Sequence, residues 1–182
     1  MPRGYLIDNQ ESTYFLTSTI VEWVDLFIRD EYKRLIVDNL NYCIENKGLV
    51  VNAYVLMTNH IHLVASAKEG NLSKIIGEFK KYTSNQLIQR ILSSQESRRN
   101  WMEPVFRNAG MRNPKNEIFQ IWQNGNHAEE IFSQKFAMQK IKYIHQNPVK
   151  AGIVNRAEDY IYSSASDYLG LKSPVKIKLI SF

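Results

Sequence analysis

The chain has 182 residues, 44% apolar and 23% charged, with a formal net charge of +5, a composition that excludes disordered, collagen-like and disulfide-scaffold classes and suffices for a core without staples. A single cysteine, Cys43, excludes an internal disulfide or a cysteine-rich zinc cluster and speaks against secretion. The longest apolar run, Leu49 to Met57, is broken by Asn52 and is far short of a membrane span, and Tyr14 to Val21 is broken by Thr17, Ser18 and Thr19, so no signal core is read and a soluble cytoplasmic protein is expected.

Residues 1 to 13 read as a polar lead-in, and the β-branched and aromatic stretch Tyr14 to Val21 predicts a first strand. From Leu26 to Glu45 the apolar residues Leu26, Phe27, Leu35, Ile36, Leu40 and Ile44 recur at helical spacing, and Lys47-Gly48 stops the helix. Leu49 to Met57 predicts a buried strand, Thr58-Asn59 a turn, and His60 to Ser66 the returning strand of a hairpin. Asn71 is placed to cap a second helix with a stripe of Leu72, Ile75, Ile76 and Phe79, its Lys74 and Lys81 on the opposite side. Ser93 to Pro114, with two prolines and little periodicity, reads as an irregular connection. Residues 71 to 114 hold eight basic against three acidic side chains, while the rest of the chain balances, so the positive field sits in one segment and suits a polyanion. Glu117 to Gln123 predicts another strand, Asn124-Gly125-Asn126 a turn, and Ala128 to about Gln146 a third helix ended by Pro148. The order strand, helix, hairpin, helix, strand, helix predicts an α+β sandwich with helices on one or both faces of a small antiparallel sheet. One domain over 1–182 is expected, with 149–182 a C-terminal tail packed on or near it.

His60-Ile61-His62 puts two imidazoles on one face of the hairpin's second strand, half of a divalent metal site. Taken alone, the pair fits a half-exposed strand pair with no ligand better than a metal site. On the third helix Tyr143 and Asn147 share a face one turn apart, away from the apolar stripe of Ile141 and Ile144. An amide oxygen can ligate a hard cation and a phenol can act as a nucleophile, although a tyrosine grouped with Phe132 and Phe136 also fits simple packing. His145, aligned with the apolar stripe, reads as structural.

Two strings turn these fragments into a resemblance. The run from Ala53 through Thr58-Asn59-His60-Ile61-His62 to Val64 resembles the signature of the HUH single-tyrosine transposases. The run Tyr143-Ile144-His145-Gln146-Asn147-Pro148-Val149-Lys150-Ala151-Gly152, followed by Tyr162-Ser163-Ser164-Ala165, resembles their REP-associated branch, with Tyr162 where many relatives have tryptophan. The resemblance implies a ferredoxin-like sandwich, and His60, His62 and Asn147 as ligands of Mg²⁺ or Mn²⁺. It further implies Tyr143 as the nucleophile that cleaves and rejoins single-stranded DNA beside hairpins through a 5′-phosphotyrosine link. A phenol, with an ordinary pKa of ~10, must lose its proton on attack, and the sequence names no obvious base. Lys74, Lys80, Lys81, Arg98 and Arg99 are the expected phosphate contacts. A monomer carrying its own tyrosine is expected, with a dimer as the alternative. Two other readings stay open: a non-catalytic single-stranded nucleic-acid-binding module on the same sheet, and a replication-initiator or relaxase-like HUH nuclease.

Overall fold

The computed structural model describes residues 6–93, 95–113 and 118–180. Four strands, β1 (Tyr14–Thr19), β2 (Leu49–Leu56), β3 (His60–Ala67) and the short β4 (Glu129–Glu130), form one antiparallel sheet in the order β2-β3-β1-β4. Four helices, α1 (Asp30–Asn46), α2 (Leu72–Leu92), α3 (Arg99–Met111) and α4 (Gln134–Lys150), pack on it. This is an α+β sandwich with the strand order of a ferredoxin-like fold.

The two faces are unequal. Tyr14 and Leu16 of β1, Tyr54 and Leu56 of β2, and Ile61, Leu63 and Ala65 of β3 meet α1, α2 and α3 through Leu35, Ile36, Ile75, Phe79 and Phe106. On the other face Phe15, Ala53, Val55 and Val64 meet Ile141 and Ile144 of α4. His60 and His62 have the parity of Val64, so they lie on the α4 face. Because both faces are covered, β2 and β3 lose the polar alternation of a one-sided strand. Asn52 is a bulge in β2: the register slips between Val51 and Ala53, and side-chain parity flips there, with Leu49 and Val51 on the α1/α2 side and Ala53 and Val55 on the α4 side. The Asn52 side-chain amide donates to the Lys178 carbonyl (2.8 Å) and its carbonyl accepts from Tyr168 Oη (3.0 Å), so the tail fastens the bulge. Farther along the same edge, the Leu56 and Ser164 N–H groups bond the Tyr162 and Tyr54 carbonyls (2.9 and 3.0 Å), covering what would otherwise be a sticky strand.

Several sequence expectations need correction. The first helix starts at Asp30, not Leu26, because Leu26–Ile28 form a single 3₁₀ turn and Arg29 is extended. The Asn71 side chain makes no cap; Gln10 Oε1 instead accepts the Ser73 N–H (2.9 Å), a cap supplied from a distant segment. The supposed irregular connection contains α3, whose buried Met102, Phe106 and Ala109 repeat at helical spacing despite Pro104. Of the strand expected at Glu117–Gln123, residue 117 lies outside the described residues; Trp122 makes only an isolated bridge to Ile20, and the fourth strand is β4. Helix α4 begins at Gln134 with Ser133 Oγ accepting the Phe136 N–H (3.2 Å), and runs through Pro148. A proline in the last turn removes one bond without stopping the helix, and the stop is Gly152 with φ 70°, where the Ile153 N–H reaches the Pro148 carbonyl (2.9 Å).

The most consequential polar group outside the α4 face is Glu96, whose side chain is 1% exposed. Its carboxylate accepts from Tyr32 Oη (2.6 Å) and from the Arg98 backbone N–H (2.9 Å) and guanidinium, and Arg29 adds a second cation at 3.3 Å. Burial alone raises its pKa, but the Arg98 and Tyr32 hydrogen bonds override this and hold it at about 2, below the ordinary 4.5. A depressed carboxylate contributes stability that is complete above pH 4.5 and is lost as pH falls through about 2. Glu96→Gln should cost about 3 kcal/mol at neutral pH, because it removes the buried charge that Arg98 and Arg29 pair with and turns one acceptor oxygen into an N–H donor facing them. Thermal unfolding should show a midpoint lower by roughly 10 °C. The acid-side loss of stability should also shrink in the variant; an unchanged midpoint would assign Glu96 no structural role.

Candidate active site

β3 presents His60 and His62 in one row, 4.7 Å apart between ring centroids. Each ring is held through Nδ1. The His60 Nδ1 lies 2.7 Å from Asn59 Oδ1, and the Asn59 amide nitrogen donates to Asp25 Oδ1 (3.0 Å) and to the Trp23 carbonyl (3.3 Å). Both of those partners are pure acceptors, so the amide orientation is fixed and Oδ1 must face the ring; His60 therefore donates from Nδ1, leaving Nε2 with its lone pair. His62 Nδ1 lies 2.8 Å from the Thr17 hydroxyl, its cross-strand partner. Burial lowers both imidazole pKa values, that of His62 to about 3 with His60 and Lys140 adding to the effect, so both rings are neutral and metal-competent.

Tyr143 reaches this row from α4. Setting Ile141 toward the sheet at 100° per residue places Phe136, Lys140, Tyr143, Asn147 and Lys150 on one flank of the helix. That flank lies over β1 and β3: the Tyr143 ring stands edge-on to His62 (5.3 Å) and to Phe15 (5.9 Å), while Phe15 stacks on His62 (5.2 Å). Tyr143 is nevertheless 43% exposed, so it is not a core residue. Lys140 bridges to Glu129 (2.7 Å) over the Phe15 ring (4.4 Å), and Lys150 Nζ lies 5.8 Å from the Tyr143 ring centre. A cavity of about 470 Å³ opens between Phe15, Thr17, His62, His127, Lys140 and Tyr143. One chain thus supplies imidazole, phenol and cation to one space.

The residues picked from sequence fall into three groups. His60, His62 and Tyr143 come together as just described. Asn147 sits one turn beyond Tyr143, half-buried, and among the described residues its side chain makes no hydrogen bond. Lys74 and Lys81 are exposed on α2. Lys80, by contrast, donates to the Gln123 and Gly125 carbonyls (2.7 and 2.8 Å), clamping the loop that leads to the cavity. Arg98 is committed to Glu96 and to the Asp25 carbonyl (2.9 Å), and Arg99 to Glu103 and to the Leu92 carbonyl (2.7 Å). His145 is structural, as its alignment suggested, with Nε2 2.9 Å from Ser164 Oγ.

Sequence reading missed Phe15, Thr17, Trp23, Gln123, His127 and Lys140 at the site. A signal for the cations did exist: α4 carries Lys135, Lys140, Lys142 and Lys150 with no acidic residue, hidden when charge is averaged outside 71–114.

A divalent metal is the group that the resemblance implies, and the donor set fits it. Two neutral imidazoles stand side by side, the lone pair of the first aimed away from its Asn59 anchor. Among the described residues no three His, Cys, Asp or Glu side chains cluster as ligands, and the third donor that the resemblance implies is the Asn147 amide.

Comparison with known proteins agrees with the resemblance. Residues 24–109 match the family model described as transposase IS200 like, a span that includes His60 and His62 and stops before Tyr143. A solved structure described as the REP-associated tyrosine transposase bound to a REP hairpin is similar over 100% of this chain and 93% of its own, at a TM-score of 0.64 and 19% identity. No curated protein matches the chain by sequence.

Proposed function

We propose that this chain, whose residues 24–109 match the IS200-like transposase family, is a metal-dependent single-stranded DNA transposase that cleaves and rejoins strands beside hairpins. The observation that carries this reading is Tyr143 edge-on to His62 at 5.3 Å, from a helix outside the matched segment. A purely structural tyrosine would be buried in the α4 seam with Ile141 and Ile144; this one is half in solvent beside neutral imidazoles.

His60, His62 and Asn147 would hold Mg²⁺ or Mn²⁺, which when bound polarises a non-bridging oxygen of the scissile phosphate. The Tyr143 phenol oxygen attacks phosphorus; the new O–P bond replaces the P–O3′ bond, and the phenolic proton is transferred by way of solvent to the departing 3′ oxygen. The products are a 5′-phosphotyrosine and a free 3′-hydroxyl. The phosphodiester energy is retained, so the reverse attack by a 3′-hydroxyl rejoins strands. Phe15 and the Lys140–Glu129 pair hold the tyrosine's flank of α4, and Lys140 and Lys150 add positive charge for the phosphate. Lys74 and Lys81 are the freest contacts for the hairpin backbone from the sequence-derived set, while Lys80, Arg98 and Arg99 would have to give up internal partners to contribute. The strand joined would be one with REP-like palindromes, handled by a monomer in cis.

The test is incubation with labelled hairpin-bearing single strands in Mn²⁺ or EDTA, read on denaturing gels. A metal-dependent covalent adduct is expected; tight, metal-independent binding with no adduct would instead establish a binding module. Affinity should fall steeply with salt, with a log–log slope of roughly −0.7 per phosphate neutralised on a single strand.

A further inference from the structure

Three non-glycine residues among those described have positive φ, namely Glu22 (51°), Trp23 (54°) and His127 (38°); Trp23 and His127 line the cavity of His62 and Tyr143, and Glu22 directly precedes Trp23. Side chains with a Cβ avoid that region, a large aromatic especially, and such residues persist only where surrounding bonds force them. The forcing bonds are present: the Val21 N–H bonds the Ile121 carbonyl (2.8 Å), the Ile20 N–H the Asn59 carbonyl (2.8 Å), and the Trp23 carbonyl accepts from the Asn59 side chain. The outcome is a tryptophan 61% exposed, its indole edge-on to His60 at 6.3 Å. Burial does not account for it, since the core it could join is filled by Ile20, Val21 and Val24.

Trp23 and Gln123 also line two separate cavities. One is the space containing His62 and Tyr143; the other, of about 340 Å³, runs beside Glu22, Arg112 and Asn113. A strand that runs from the Tyr143 space into the second one passes the indole that lines both, and there meets Arg112, 71% exposed at its side chain and paired with Glu22 at 3.6 Å, as a cation that a phosphate would share with that carboxylate. From this geometry we infer that Trp23 is the stacking platform for one unpaired nucleobase next to the scissile phosphate, and sets which single-stranded flank the site accepts. The inference rests on the proposed strand chemistry for its direction along the DNA. An indole face takes any base by stacking, so the readout is the presence and position of an unpaired base, with Gln123 beside it as a donor and acceptor for base edges.

The experiment walks a single abasic site through the flank of a labelled hairpin strand and measures affinity by anisotropy for the wild-type chain, Trp23→Ala and Trp23→Phe. One abasic position is expected to weaken wild-type binding by about 5- to 150-fold. The same lesion should cost Trp23→Ala nothing further, while Trp23→Phe keeps most of the penalty. Equal abasic penalties in wild type and Trp23→Ala would overturn the inference. Because Trp23 is exposed and strained, Trp23→Ala should unfold no earlier than wild type on heating; early unfolding would assign it a structural role and also overturn the inference. The adduct assay separates the two readings. Adduct without coupling removes only the platform, coupling without adduct removes only the covalent chemistry, and the absence of both adduct and coupling removes both.

Discussion

Tyr143→Phe should abolish the covalent adduct, by about 10⁴-fold or more, while leaving single-stranded DNA affinity within about twofold of wild type. The asymmetry follows from what the side chain touches. Its ring meets Phe15 and His62 edge-on, and phenylalanine reproduces both contacts. The hydroxyl makes no hydrogen bond among the described residues, so its removal leaves no partner stranded. Folding should therefore be untouched, with an unchanged thermal midpoint. If Tyr143 only packs α4 against the sheet, the phenylalanine variant would behave as wild type in the gel. A loss of binding equal to the loss of adduct would mean that the phenol holds DNA instead of attacking it.

The parts of this site that sequence made legible are those with local spacing. His60 and His62 two apart on a strand had to share a face, and Tyr143 and Asn147 four apart on a helix had to share a flank. What spacing could not supply was the crossing of that flank over β1, because Phe15 and Lys140 meet only when α4 packs on a sheet in which β1 pairs with β4 and sets Glu129 beside Phe15. The basic segment shows the opposite failure. Charge counting put five lysines and arginines forward for DNA, yet Arg98 belongs to the buried Glu96 carboxylate and Lys80 to a turn. A charge count records which groups a chain owns and is blind to internal partners. Helix α3 escaped notice because Pro104 and the run of polar residues outweighed four buried positions, and only packing against α2 and the turn at Val21–Trp23 decides such a segment.

The second large effect is expected at metal binding, and it extends one residue behind the ligands. His62→Ala removes a donor outright and should reduce Mn²⁺ affinity below detection. Asn59→Ala leaves both imidazoles in place and should still weaken Mn²⁺ by roughly 10- to 100-fold, the usual consequence of freeing a ligand ring. In the wild type, Asp25 and the Trp23 carbonyl orient the Asn59 amide, which in turn keeps the His60 proton on Nδ1 and the lone pair on Nε2. Without that amide the ring is free to rotate and to take the other tautomer, so a share of the protein no longer offers its nitrogen. Free Mn²⁺ measured by electron paramagnetic resonance gives the affinity, and ¹⁵N chemical shifts of the imidazole in the metal-free protein give the tautomer directly. The two should change together in Asn59→Ala, while the thermal midpoint stays within a few degrees because the backbone bond from the Ile20 N–H to the Asn59 carbonyl is kept. Weakened Mn²⁺ with an unchanged tautomer would trace the effect to the loop carrying Trp23 instead of the ring, and an unchanged affinity would show that β3 alone aims His60.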